Sequence, residues 1–367
     1  MPISLSGLVV FSFVVNPTTS IAAIYGSLLM AVTWFLLYLI ADRLMPDYWS
    51  SVCRFLPFLG LAASLYGIYQ FVALPEWDRR WMVASRLTSI GAPFPEQVRV
   101  FGPTESPGVF ALLVGISSIV SIILALRERV IINQIGYSLC ALFGLIALIL
   151  SGVRVALLSI SVVLVVLAVR WLRGWARLLP LVGIAFGYYC LTVVVSRFGG
   201  QSSIFSADRL TGVDASRDDS LLARFELYRR VPSLLTRPLG SGVAINPRTG
   251  AEQVLDSTYV DILYRQGPIA FVLVTLLSLL VLKASLRIVP SDSPSIMAAG
   301  GCSVFLIVFM FAGNVFASGT GLIAVLIFGS VLLRDADSYR CVGAGNLGSS
   351  SVSARPIHPD RHAAGKS

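Results

Sequence analysis

Four arginines stand in short, turn-rich phrases between long apolar stretches. Arg99 precedes Val100-Phe101-Gly102-Pro103-Thr104-Glu105-Ser106-Pro107, and Arg154 follows Ser151-Gly152-Val153. Arg224 lies in Ala223-Arg224-Phe225-Glu226-Leu227-Tyr228, and Arg265 in Tyr264-Arg265-Gln266-Gly267. A guanidinium stays charged at any relevant pH and grips a phosphate with two parallel N–H donors, so two or three converging would hold a lipid diphosphate. The other use of an arginine at a span end is as an anchor, with its stem in the apolar layer and its head among the headgroups.

One carboxylate stands out. Asp256 precedes Ser257-Thr258-Tyr259, which opens a helix. It either caps that helix, worth about 1 kcal/mol, or faces an outer cavity and takes the proton of an attacking hydroxyl; the two uses are compatible. Glu105, Tyr228 and Tyr259, in the same phrases, are candidates for contacting a substrate. Asp218-Asp219 is a weak metal signal without a neighbouring ligand, and both histidines lie in the C-terminal tail. Phosphate charge would be met by arginine, with no metal and no cofactor.

The elements that position these residues are apolar helices. The 367 residues are 56% hydrophobic and 13% charged, with a mean hydropathy of +0.82. That is more apolar surface than a soluble globule can bury. Runs of about twenty apolar residues span roughly 30 Å as helix, and period-two alternation is absent, which favours helices over a barrel. The expected fold is an all-α polytopic membrane bundle of ten spans: 3–15 (short), 21–41, 55–75, 108–126, 130–151, 155–170, 178–196, 267–287, 296–316 and 319–333.

Basic residues favour the cytoplasmic side of such a bundle. Segments 42–54, 127–129, 170–177, 283–292 and the tail from 334 hold 14 Lys/Arg against 7 Asp/Glu. This orientation puts both termini inside and the loops 76–107 and 197–266 outside, with Arg154 at the outer face. The domain reading is a membrane domain over 1–333, carrying an external active-site loop at 197–266, and a disordered cytoplasmic tail at 334–367.

Several function classes recede. The net charge of +9 is scattered between spans without a contiguous basic face, so nucleic acid is not an expected partner. Cys53, Cys140, Cys190, Cys302 and Cys341 form neither a disulfide framework nor a zinc spacing. The span centres lack charges, with Gln70, Asn133, Gln134 and Asn314 as polar exceptions, whereas ion-coupled carriers usually need ionisable groups at that depth. In the outer loop, Leu221, Leu222, Phe225, Tyr228 and Val231 have the spacing of an amphipathic surface helix that ends at Pro232. Arg224 and Tyr228 are then neighbours on one face.

Taken in order, these phrases resemble the bacterial O-antigen ligase and O-antigen or exopolysaccharide polymerase superfamily. The resemblance rests on the Arg99 to Phe110 phrase, Ser151-Gly152-Val153-Arg154, the Arg224 and Tyr228 helix, Pro238-Leu239-Gly240-Ser241-Gly242, and Asp256 to Gly267. It covers residues 99–287. It implies a GT-C-like, metal-independent, inverting glycosyltransferase of the inner (plasma) membrane that uses undecaprenyl-diphosphate-linked glycan at the periplasmic face. Arg154, Arg224 and Asp256 would be catalytic, and Arg99, Arg265, Tyr228, Tyr259 and Glu105 would bind substrate. Implied partners are the lipid-linked oligosaccharide, the bilayer, a chain-length regulator and a flippase. Val153 stands where the family usually has Ser. Ligases often carry His-Asn where this chain has Asp256-Ser257, so the resemblance leans towards a polymerase. A ligase to another acceptor, or a transporter of lipid-linked sugar, is the alternative.

Overall fold

The computed structural model describes residues 46–85, 90–171, 231–240, 257–288 and 293–318, with single positions elsewhere. Apart from single positions, the expected spans at 3–15, 21–41, 178–196 and 319–333 lie outside the described residues, as does the tail. In chain order the described helices are α1 (Pro46–Ala73), α2 (Glu76–Ser85), α3 (Pro107–Arg127), α4 (Ile131–Leu150), α5 (Arg154–Val166), α6 (Val231–Leu234), α7 (Thr258–Arg287) and α8 (Pro294–Phe309). Among the described residues there is no strand, only an isolated bridge between Gly91 and Val98. Four helices, within α1, α3, α4 and α7, are long and apolar enough to cross a membrane. The chain is an all-α membrane protein.

The centre of the bundle is α3. Its start is set by Ser106, whose hydroxyl accepts from the Val109 amide, and by Pro107 in the first turn, where a missing N–H costs nothing. It is apolar between its ends apart from Ser117, Ser118 and Ser121, as suits a largely buried helix, and it packs on α1, α4, α5 and α8. Apolar burial gives little drive to helix association inside lipid, so close approach matters more. Gly60 of α1 and Gly144 of α4 supply it: a Cβ at either would overlap the hydroxyl of Ser117 or Ser118 on α3.

Cross-helix bonds sort the described residues into two ends. At one, Trp49 Nε1 donates to the Ser295 carbonyl at 2.8 Å, Arg127 Nη2 reaches Met297 Sδ at 2.9 Å, and Arg170 Nη2 donates to the Leu286 carbonyl at 2.8 Å. At the other, Val100 N donates to the Leu150 carbonyl at 3.3 Å and Thr258 N to the Met310 carbonyl at 3.0 Å. We call the second end the rim. It gathers the 99–106 and 151–154 phrases, as the alternation of spans requires.

One difference from the sequence reading lies in the first outer loop. Residues 76–85, expected as loop, form α2, whose Trp77, Arg79, Arg80, Trp81 and Val83 side chains are exposed. The surface helix expected to end at Pro232 lies, apart from single positions, outside the described residues, and Val231–Leu234 is helical with Pro232 in its first turn. Proline is tolerated in a first turn, where no helical partner awaits its nitrogen.

The largest difference is in α7, where the phrase 258–266, expected to open the helix of the next span, is a buried helical arm separate from that span. Gly267, at φ 84° and ψ 178°, breaks the helix, in a region open essentially to glycine alone. Tyr259 and Ser278 would be ~28 Å apart along a straight helix, yet Tyr259 Oη donates to Ser278 Oγ at 3.1 Å. The arms 258–266 and 268–287 therefore fold into a V, and the second alone has the length of a span. Hydropathy marks the second arm as a span and the first, with Asp261, Arg265 and Gln266, as polar, and carries no record of the reversal.

Candidate active site

The rim corner is built from two phrases fifty residues apart. α4 ends at Leu150, Ser151 caps it, and Gly152 turns the chain at φ 63°. Ser151 Oγ donates to the Leu148 carbonyl at 2.6 Å and accepts from the Val153 amide at 3.3 Å. Arg154 is then the first residue of α5. Across this turn lies Arg99, with Nε donating to the Ser151 carbonyl at 3.2 Å and Nη2 to the Gly152 carbonyl at 3.3 Å. A guanidinium on the carbonyls ending a helix satisfies orphan acceptors and complements the negative end of the helix dipole. Arg99, expected as a phosphate ligand, thus directs these donors to the turn that presents Arg154.

Arg154 occupies the opposite electrostatic situation. Its charge sits at the positive end of α5, beside Val153, which has no side chain to cap the first amides. The first amides of a helix are an environment that suits an anion. Glu105 is exposed on the neighbouring loop, whose turn is closed by Thr104 Oγ1 donating to the Phe101 and Ser106 carbonyls at 2.7 and 3.0 Å.

The second corner is the V of α7. Arg265 Nε donates to Asp261 Oδ1 at 2.7 Å, with both side chains largely buried. Tyr259 is buried, with Phe311 on one side at a ring separation of 4.9 Å. The Pro238 to Gly240 phrase docks at the apex: a Cβ at Gly267 would overlap the Pro238 carbonyl, and one at Gly240 the backbone of Arg265 and Gln266. Two phrases read separately in the sequence are thus one backbone-to-backbone joint.

The start of the V is anchored to the end of α8. Thr258 Oγ1 donates to the Gly313 carbonyl at 2.9 Å and accepts from Val315 N at 2.9 Å, while Asn314 Nδ2 donates to the Leu255 carbonyl at 3.1 Å. The N-cap of α7 is Ser257, whose hydroxyl faces the Val260 amide. This corrects the capping role considered for Asp256, because the cap belongs to the residue with extended backbone just before the first helical turn. Asp256, Arg224 and Tyr228 lie outside the described residues.

The structure brings Arg99 and Arg154 together, and Tyr259 and Arg265 together, in two corners of the bundle. α5 packs on α8, and α8 on α7. Sequence reasoning missed Asp78 and Asp261, both buried. Asp78 was masked by its neighbours Glu76, Arg79 and Arg80, which look like a solvated charge cluster. The usable signal was Trp77 and Trp81 at helical spacing around it. Compared with known proteins, the chain matches no family model, no curated protein and no solved structure.

Proposed function

We propose that this protein is a membrane glycosyltransferase that polymerises lipid-linked glycan at the periplasmic face of a bacterial inner membrane. The growing glycan on undecaprenyl diphosphate passes to a sugar hydroxyl of an incoming lipid-linked repeat unit. The observation that carries the reading is the rim corner, where Arg99 fixes the Ser151-Gly152 turn and Arg154 follows at a helix N-terminus without a side-chain cap. A fixed cation beside the first amides of a helix suits a group whose negative charge grows during reaction, such as a departing diphosphate.

In this mechanism the acceptor oxygen attacks the anomeric carbon as the bond to the diphosphate oxygen breaks, inverting the centre. Arg154, with Arg224 from the long loop, stabilises the leaving diphosphate. Asp256, relieved of capping by Ser257, takes the acceptor proton. The arginines carry the larger share, because a diphosphate leaves readily once its charge is met, and a general base is commonly worth about 10²- to 10⁴-fold.

The test is to incubate the purified protein with a synthetic undecaprenyl-diphosphate-linked repeat unit and size the products. A ladder stepping by one repeat, with undecaprenyl diphosphate released, supports the polymerase. Transfer only to a separately supplied acceptor would make it a ligase, and passage of intact substrate across a vesicle would make it a transporter. Full-length polymer from correctly inserted Arg154→Ala and Arg224→Ala variants would overturn the site assignment.

A further inference from the structure

A chain of hydrogen bonds runs behind the rim corner. Trp77 Nε1 donates to Tyr66 Oη at 2.6 Å, and Tyr66 Oη donates to Asp78 Oδ2 at 2.9 Å. Gln70 Nε2 donates to the same oxygen at 2.7 Å. The other end of that amide, Gln70 Oε1, accepts from the backbone amides of Phe101 and Gly102, both at 3.0 Å. Gln70 is completely buried and Asp78 nearly so. Trp81 of α2 also packs on Phe101, at a ring separation of 4.9 Å.

The polarity of this chain is fixed by chemistry. A carboxylate can only accept, so Asp78 forces Gln70 to present its N–H₂ towards α2 and its oxygen towards the loop. That oxygen then meets two amide donors that would otherwise be buried without partners. Phe101 and Gly102 lie two and three residues beyond Arg99, whose guanidinium holds the turn before Arg154. α2 and the end of α1 are thereby wired to the arginine corner through one side-chain amide.

We propose that Asp78 is a positioning residue for the reaction at the rim, acting through Gln70 to hold the Phe101-Gly102 backbone and, with it, the Arg99 and Arg154 corner. The inference rests on the glycosyltransferase reading of that corner. Asp78 touches no reacting atom. It sets the direction of an amide that a solitary glutamine could flip.

The test exchanges the polarity of the pair. Gln70→Glu sets two carboxylates face to face, while Asp78→Asn alone can still accept from Gln70 and Tyr66. In the double variant the new amide at position 78 donates to the new carboxylate at position 70. That carboxylate still accepts from both loop amides, and Tyr66 has a second lone pair for the remaining N–H. Two readouts are taken on the full-length protein: hydrogen exchange of the Phe101 and Gly102 amides, and ladder synthesis with kcat and KM separated. Hydrogen bonds to charged groups of this kind correspond to roughly 10- to 100-fold effects. Gln70→Glu is expected to speed exchange and lower kcat by that amount, Asp78→Asn to change either by a few-fold at most, and the double variant to recover both. Gln70→Met, which adds no charge, covers the case in which Gln70→Glu does not fold, and should move both readouts in the same direction.

A double variant no better than Gln70→Glu overturns the proposal. So does exposure of the amides with turnover unchanged in every variant, which would leave a purely structural bond. If the wild type makes no ladder, the glycosyltransferase reading fails, and amide exchange still decides whether Asp78 holds the corner.

Discussion

Arg99 and Arg265 look alike in the sequence, each a lone cation in a turn-rich phrase near a span, yet the fold uses them differently. Arg99 reaches across the bundle to carbonyls at the end of another helix. Arg265 faces a carboxylate one turn back on its own arm, so its charge is cancelled locally. The first arginine fixes the turn before Arg154, and the second braces one arm of the V. The proposed reaction draws on the Arg99 and Arg154 corner, and the contrast poses a structural task for the Arg265 corner that substitutions can test.

Substitutions can sharpen that contrast. The largest effect is expected at the apex of the V. Gly267→Ala adds a methyl against the Pro238 carbonyl in a conformation only glycine adopts, and should cost upwards of about 4 kcal/mol. Thermal unfolding in detergent would read it. Gly136→Ala, where nothing lies within 4 Å, should shift stability by less than about 1 kcal/mol. If the two glycines behave alike, the joint is not built as described.

Next is the buried pair. Asp261→Leu removes the carboxylate from a largely buried Arg265 and should cost about 3–5 kcal/mol. Asp261→Leu combined with Arg265→Met should recover most of it, because the pair cancels locally. Retained ladder synthesis in the double variant would support a structural task, and its loss would return Arg265 to the reaction. Arg99→Ala should do the reverse, costing about 1–3 kcal/mol in stability from the two carbonyl bonds but lowering turnover disproportionately. Ser257→Ala should cost about 1 kcal/mol as a lost cap.

The smallest effect is at α2. Hydrogen bonds from Arg79 and then Arg80 hold the exposed Glu76 carboxyl below the usual carboxylate range. A folded-state value below the unfolded one contributes stability at neutral pH, and that contribution is lost as pH falls through the folded value. Glu76→Gln should therefore barely move the unfolding midpoint at pH 7, and should match the wild type well below pH ~4.

Helix existence was legible because apolar runs of the right length leave few alternatives: 108–126 became Pro107–Arg127, and 130–151 became Ile131–Leu150. The Ser151 to Arg154 turn was legible too, since Ser, Gly and a following apolar run spell a cap, a left-handed turn and a restart. The V was not, because periodicity records which residues are apolar and nothing about where the chain doubles back. Gly267-Pro268 marked the break, but only the docking of Gly240 on the far side of a long loop makes it a reversal. Gln70 stood out as a polar residue in a span, while its partner Asp78 was hidden among charges that do face solvent.

The V also bears on the order in which the chain can be completed during synthesis. The nine residues of its short arm are too few to cross a bilayer, so the arm adds no crossing and leaves the side of every later segment unchanged. Its first amide is held by the carbonyls of Met310 and Gly313, which leave the ribosome some fifty residues later. The short arm, with Tyr259 and Asp261 on it, therefore reaches its final seat only after α8 is in place, and a chain stopped before that helix carries the phrase without its anchor.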